Sequence, residues 1–290
     1  MAGLGKQKAL GVTSSGIKTL ADPINLSHYT TLSGLKGIIE AGQIWASNVS
    51  FLNDRRELVH GIEASVKAIK RFAKESSYQN WYDLFKSASA DVLAGRIPNT
   101  YAACFCGRSD ILSQWRGYGG SEQGVAIAFD KKQLKKMLAK QKAYLCEVKY
   151  GNLSAAAKMS DGLKHEIDAF EALEELVGAS TEDQMSAEAY SILCRLIPQF
   201  KRLGFADERE WRFVIQQEAL GEDVCFRVCR NVIVPYIPLG PGAGGKLPID
   251  HIVVGPGADQ ELTKRSIEIF LGQRGYNSVS VHLSSVPFRA

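Results

Sequence analysis

The apolar runs of the chain, such as Val125–Phe129 and Val232–Leu239, are strand-sized. A membrane-crossing helix needs roughly 18–20 apolar residues in a row, so no span is expected. Further strands are expected at Leu26–Tyr29, Gln43–Ser47, Tyr101–Cys106, Gly124–Asp130, Ala143–Tyr150 and Glu208–Gln216, where apolar, β-branched and aromatic residues cluster. Val224–Val228, Val232–Ile237, His251–Val254 and Ser278–Leu283 complete the set. Helical spacing fills the gaps, as in Ser33–Ala41, which Gly42 would close by adopting a left-handed cap. No internal repeat and no regular strand–helix alternation of a Rossmann sheet or barrel is present. The expectation is therefore an α+β fold. A single mixed-sheet domain would span residues 23–290, with helical insertions at about 54–95 and 153–203 and a flexible leader over 1–22.

With 290 residues, 45% of them hydrophobic and 23% charged, the chain can bury a large core without staples, which excludes disordered and fibrous classes. Its 35 basic residues face 31 acidic ones for a net charge of +4. That balance is compatible with an anionic partner but does not call for one. The N-terminus lacks the apolar region of a signal peptide, and the expected location is cytoplasmic. Six cysteines form no Cys-x-x-Cys pair. Cys104 and Cys106 would share one strand face, where a metal or redox site competes with the commoner role of a small buried hydrophobe.

Glu208-Arg209-Glu210-Trp211-Arg212-Phe213 carries the most chemistry. On a strand, Glu208, Glu210 and Arg212 would line the face opposite Trp211 and Phe213, with the two carboxylates about 7 Å apart. Such a pair can stabilise an oxocarbenium-like cation while orienting a nucleophile; the competing reading is a polar strand face laddered with cross-strand charges. His28 and Thr30, flanking Tyr29 at the end of the first strand, could grip a ribose hydroxyl or an amide. In Ser113–Gly120, Arg116 could hold a phosphate bidentately and Tyr118 could stack on a planar ring, while Trp115 reads as core. Asp54 and Glu57 have capping-box spacing. Signatures of metalloproteases, α/β-hydrolases, kinases, EF-hands and common nucleic-acid readers are absent.

In order, the chain presents His28-Tyr29-Thr30, Trp45-Ala46-Ser47, Asn53-Asp54 with Glu57, Cys104-Phe105, Trp115-Arg116-x-Tyr118, Gly124–Phe129, Glu208-x-Glu210-Trp211-Arg212, Val253–Pro256 and a Pro-Phe-Arg end at Arg289. This series resembles a widespread bacterial family of domains of unknown function over roughly residues 24–289. More distantly, it is similar to ADP-ribosyltransferases, which bind NAD with a His or Arg on the first strand and carry a Glu on a late strand. The resemblance implies a split mixed sheet and cleavage of the nicotinamide–ribose bond, with NAD as the substrate. His28, with Tyr29 and Thr30, would contact the ribose or carboxamide; Arg116 and Tyr118 would serve the cofactor; Glu210 would stabilise the ribosyl cation; Glu208 would position the acceptor. It also implies a protein or nucleic-acid acceptor, a role as a bacterial toxin or antiviral-defence effector, and an antitoxin or regulatory partner. The Ser-Thr-Ser strand of the arginine-modifying branch is missing, so an arginine acceptor is not implied. Two other classes remain open. One is a magnesium-dependent nuclease using Asp54, Glu57, Glu208 and Glu210; the other is a non-enzymatic binding module.

Overall fold

A computed structural model describes residues 22–52, 57–118, 122–229 and 231–287. Most of the expected leader, the cap residues Asn53 and Asp54, the glycines 119 and 120, and Arg289 lie outside the described residues, as do the side chains of Glu57 and Tyr118. The chain runs β1 (Asn25–Thr31), α1 (Leu32–Ala41), β2 (Ile44–Asn48), α2 (Glu57–Phe72), α3 (Gln79–Leu93), β3 (Asn99–Cys106), α4 (Leu112–Tyr118), β4 (Gly124–Asp130), α5 (Lys131–Ala139), β5 (Tyr144–Glu147) and β6 (Lys149–Tyr150). It continues through α6 (Ala155–Val177), α7 (Glu182–Leu196), β7 (Phe200–Lys201), β8 (Glu210–Gln217), β9 (Cys225–Cys229), β10 (Val232–Leu239), β11 (Ile249–Val254), α8 (Gln260–Gln273) and β12 (Ser280–Leu283). The fold is α+β, built on a ten-stranded mixed sheet, with β6 and β7 paired as a separate two-stranded sheet.

Local chemistry sets the turn after β1. Thr31 caps α1 by accepting the Gly34 amide at 3.1 Å, and Gly42 ends that helix at φ +60°. A Cβ on Gly42 would also lie 2.3 Å from the Gly242 carbonyl oxygen, so both backbone conformation and space require glycine there.

The main sheet has ten strands in the order β12-β11-β4-β1-β3-β2-β10-β9, with β8 on β3 and β5 on β8. β3 is the hub. One edge pairs with β8 along its whole length, from Asn99↔Gln217 to Cys106↔Glu210. The other edge is shared: Cys106 pairs with Ser27 of β1, while Tyr101 and Ala102 pair with Asn48 and Ser47 of β2. From Ala103 to Phe105 that edge has no strand partner among the described residues, and the sheet parts there.

Strand alternation gives the sheet two unlike faces. On one, Phe105, Ile127, Phe129 and Phe213 pack against Leu35 of α1, Leu138 of α5 and Leu271 of α8. On the other, Tyr29, Cys106 and Ala126 pack against Trp115 of α4, which is core as its sequence context indicated. A separate apolar core joins α2 and α3 to α6 and α7 through Phe72, Trp81, Phe85, Met159, Leu163 and Leu193. Two segments far apart in sequence thus form one helical unit, and its Phe200 on β7 adjoins the lysine that matters below. Among the described residues, no helix is long and apolar enough to cross a membrane.

One strand boundary differs from expectation, and it bears on the site. β8 begins at Glu210, whereas Glu208 ends a 3₁₀ turn over Leu203–Glu208. Arg209 between them adopts a left-handed backbone at φ +46°. The two glutamates are therefore not brought together by strand alternation. Similarly, the expected strand Ala143–Tyr150 is two short strands, one in each sheet.

Candidate active site

β8 aims Glu210, Arg212 and Val214 away from the face that buries Phe213. Glu210 is 4% exposed and Arg212 2% exposed, so each charge needs partners on the spot. Arg212 supplies a fork: Nε donates to Oε1 of Glu210 at 2.7 Å and Nη2 to Oε2 at 3.0 Å. Its Nη1 donates to the Pro198 carbonyl at 2.9 Å. Lys201 of β7 adds a second cation, with Nζ 2.9 Å from Oε2 of Glu210 and 2.7 Å from Oε2 of Glu208. One ammonium thus bridges the two carboxylates. Burial pushes the Glu210 carboxyl upward, but Arg212, Lys201 and a hydrogen bond from the Cys104 thiol outweigh it and hold the group at about 2. Glu210 is an anion at any physiological pH.

The second half of the site lies in the parting of the sheet. His28 sits there with Nδ1 2.9 Å from the Cys104 carbonyl oxygen and its ring 5.6 Å from that of Phe105. A carbonyl only accepts, so Nδ1 carries the proton. Burial lowers the His28 pKa, the Cys104 bond opposes this, and nearby Arg227 lowers it further. The ring is thus neutral, and Nε2 is an acceptor. Arg227 of β9 reaches into the same space. Its Nη2 donates to Ser47 at 2.9 Å, and its guanidinium stands 5.0 Å from the Trp45 ring and 5.7 Å from that of Tyr236.

These groups line two adjoining cavities. One, of about 250 Å³, is bounded by Glu208, Glu210, Arg212, Lys201, Phe205 and Gln114 among others. The other, of about 340 Å³, is bounded by His28, Thr30, Trp45, Ser47 and Arg227 among others. Tyr29, Leu52 and Cys104 line both. Cys104 is the joint: its carbonyl holds His28 and its thiol holds Glu210.

Of the residues singled out in the sequence, His28, Thr30, Glu208 and Glu210 come together on these two walls. Tyr29 lines both cavities, yet its hydroxyl is committed. It donates to the Arg108 carbonyl at 3.1 Å and accepts the Ile111 amide at 3.0 Å, and its ring meets Trp115 edge-on. Arg116 is exposed on α4 and lines neither cavity. The Tyr118 side chain lies outside the described residues. Sequence reasoning missed Lys201 and Arg227, because nothing local marks a lone Lys or Arg as facing a cleft. Arg212 stood in the Glu-x-Glu-Trp-Arg motif and was legible as a neighbour, though not as the fork that grips Glu210.

Cys104 and Cys106 do share a face, but burial drives the Cys106 thiol far up, with Glu210 and Glu208 adding to the effect, which leaves it inert as a nucleophile. Among the described residues, no group of three or more His, Cys, Asp or Glu is placed to hold a metal ion. Between Glu208 and Glu210, the position a divalent cation would bridge is held by the Lys201 ammonium.

No curated protein and no solved structure matches the chain. Residues 114–213, from α4 to the middle of β8, take in Lys201, Glu208, Glu210 and Arg212; they match the model of a domain family described as protein of unknown function (DUF2971).

Proposed function

We propose that the chain is an NAD-consuming enzyme of ADP-ribosyltransferase type, cleaving the nicotinamide–ribose bond and passing the ADP-ribosyl group to a protein or nucleic-acid acceptor, or to water. The observation that carries this reading is the parting of the sheet at Ala103–Phe105, where a neutral His28 and an anionic Glu210 are both held on Cys104. A dinucleotide is long, and two adjoining cavities joined at Cys104 suit its two halves. In the first, Nε2 of His28 would accept from a ribose hydroxyl or the carboxamide N–H. Arg227, preorganised by Ser47 and the Trp45 ring, would hold the pyrophosphate. In the second, the bond between ribose C1 and the pyridinium nitrogen breaks, its electron pair leaves with neutral nicotinamide, and positive charge builds on the ribose.

A fixed, desolvated carboxylate beside that charge is what the transition state needs. Glu210 supplies it, and Glu208, less buried and reached by the Lys201 ammonium, would take up the proton that the attacking acceptor loses. As they stand, two carboxylates face two cations, so the reading requires Lys201 to release Glu210 as substrate enters. A cytoplasmic toxin or antiviral-defence effector held by an antitoxin or regulatory protein is the biological setting we propose for this chemistry.

The test is nicotinamide release from NAD by purified protein, with and without cell lysate, comparing wild type with Glu210→Gln, His28→Ala and Arg227→Met. Release that falls about 100–1,000-fold in Glu210→Gln supports the reading. His28→Ala and Arg227→Met would chiefly raise KM. No release by the folded wild type in either condition overturns it.

A further inference from the structure

A third cavity, of about 680 Å³, opens beside the carboxylates, between α2 and the start of α6. Lys67 and Arg71 line it one helical turn apart on α2, and Arg202 lines it from the far side; Glu63 is the acidic side chain among them. The charge balance of this wall is +2, three cations against one carboxylate, whereas the neighbouring Glu208–Lys201–Glu210–Arg212 cluster balances to zero. Elsewhere in the helical unit, Lys164 pairs with Glu75, and Arg195 with Glu166 and Glu188. No ion pair among the described residues engages Lys67, Arg71 or Arg202.

Phe205 joins this basic wall to the candidate active site. It lines both cavities, is 37% exposed, and its ring lies 4.8 Å from Nζ of Lys201. Three residues further on, the same 3₁₀ turn delivers Glu208. A groove of cations ending on an exposed aromatic ring has the two ingredients of single-strand binding: charge to follow a phosphate backbone and a face on which a base can stack. An acidic peptide would use the cations but has no call on the ring. A single strand is favoured over a duplex because the carboxylates lie in a recess of about 250 Å³ that a base still stacked and paired in a duplex does not reach without the cost of unstacking.

We infer that the groove of Lys67, Arg71, Arg202 and Phe205 binds single-stranded nucleic acid and leads one base or ribose toward Glu208. What then happens to the strand rests on the transferase reading above; the binding does not.

The test is fluorescence anisotropy with labelled oligothymidylate, oligouridylate and a duplex of equal length, in the absence of NAD. The single strands are expected to bind with a log–log salt slope near −2, from about 0.7 per neutralised phosphate over three cations. The triple variant Lys67→Ala, Arg71→Ala, Arg202→Ala, exposed at every site, should weaken binding about tenfold or more and flatten the slope. Phe205→Leu should weaken it about tenfold at unchanged slope. A preference between the two single strands would identify the sugar. No binding by folded wild type, equal binding by the triple variant, or a duplex bound as tightly as the single strands would each overturn the inference. If no strand binds while nicotinamide is still released, the acceptor inference fails alone; strand binding without release reverses that outcome.

Discussion

Arg212 grips Glu210 with two hydrogen bonds, at 2.7 and 3.0 Å, from two residues along the same strand. Neighbours at that spacing share a face, so the fork and the carboxylate fold into place together. Both are almost fully buried, and either one alone would be a charge in a low-dielectric setting. Arg212→Leu is therefore expected to cost about 3–5 kcal/mol, read from the urea midpoint at neutral pH. A loss under about 1 kcal/mol would show that Lys201 suffices.

Glu210 also ties stability to acid. Its folded pKa of about 2 lies below its ordinary 4.5, so the unfolded chain takes up the proton first. The contribution is fully present above about pH 4.5 and is lost as pH falls toward 2, amounting to about 3 kcal/mol. Glu210→Gln should flatten the stability profile across that window. An unchanged slope between pH 5 and pH 2, in about half-unit steps, would contradict the ion-pair assignment.

Lys201 bridges two carboxylates, and Lys201→Met leaves them facing each other with Arg212 as the remaining cation on Glu210. Carboxylates that lose a counter-ion hold their protons to higher pH. The acid-unfolding midpoint of the variant should move upward, followed by circular dichroism. A midpoint that stays or falls would mean that the bridge is not populated in solution.

The lowered pKa of His28 makes a second acid-side prediction. The unfolded imidazole takes a proton near 6.5 while the folded one resists, so the neutral ring favours the fold above pH 6.5, and this is lost as pH falls below it. Nitrogen NMR should show the ring taking up its proton below pH 6.5, with the neutral form protonated on Nδ1. A ring still protonated above pH 6.5, or a neutral form with its proton on Nε2, would sink the acceptor role given to Nε2.

Arg209 pays a backbone penalty at φ +46°, and its side chain is exposed. Arg209→Gly should raise stability by up to about 1 kcal/mol, while Arg209→Val, β-branched at a left-handed position, should lower it by about 1–2 kcal/mol. If both variants unfold at the wild-type midpoint, the turn that delivers Glu208 is not strained.

Sequence alone determined most of the elements and the fold class. Strands such as Gly124–Asp130 and helices such as Gln79–Leu93 are written by local periodicity, and the α+β architecture follows from their mixture. His28, Glu208 and Glu210 were legible as chemistry-bearing because a short-range pattern surrounds each. Tertiary structure decided everything that depends on distant neighbours: that Lys201, from a strand that follows the helical unit, bridges the two glutamates; that Arg227, nearly two hundred residues after His28, faces the same cavity; and that Tyr29 spends its hydroxyl on the 108–111 loop. The Glu208–Glu210 pairing shows the division most sharply. Strand alternation was the reason to place them side by side, yet a left-handed Arg209 breaks the strand and a lysine from another element brings them together. Periodicity is a property of neighbours along the chain, whereas a buried charge is settled by whichever side chains the fold carries to it.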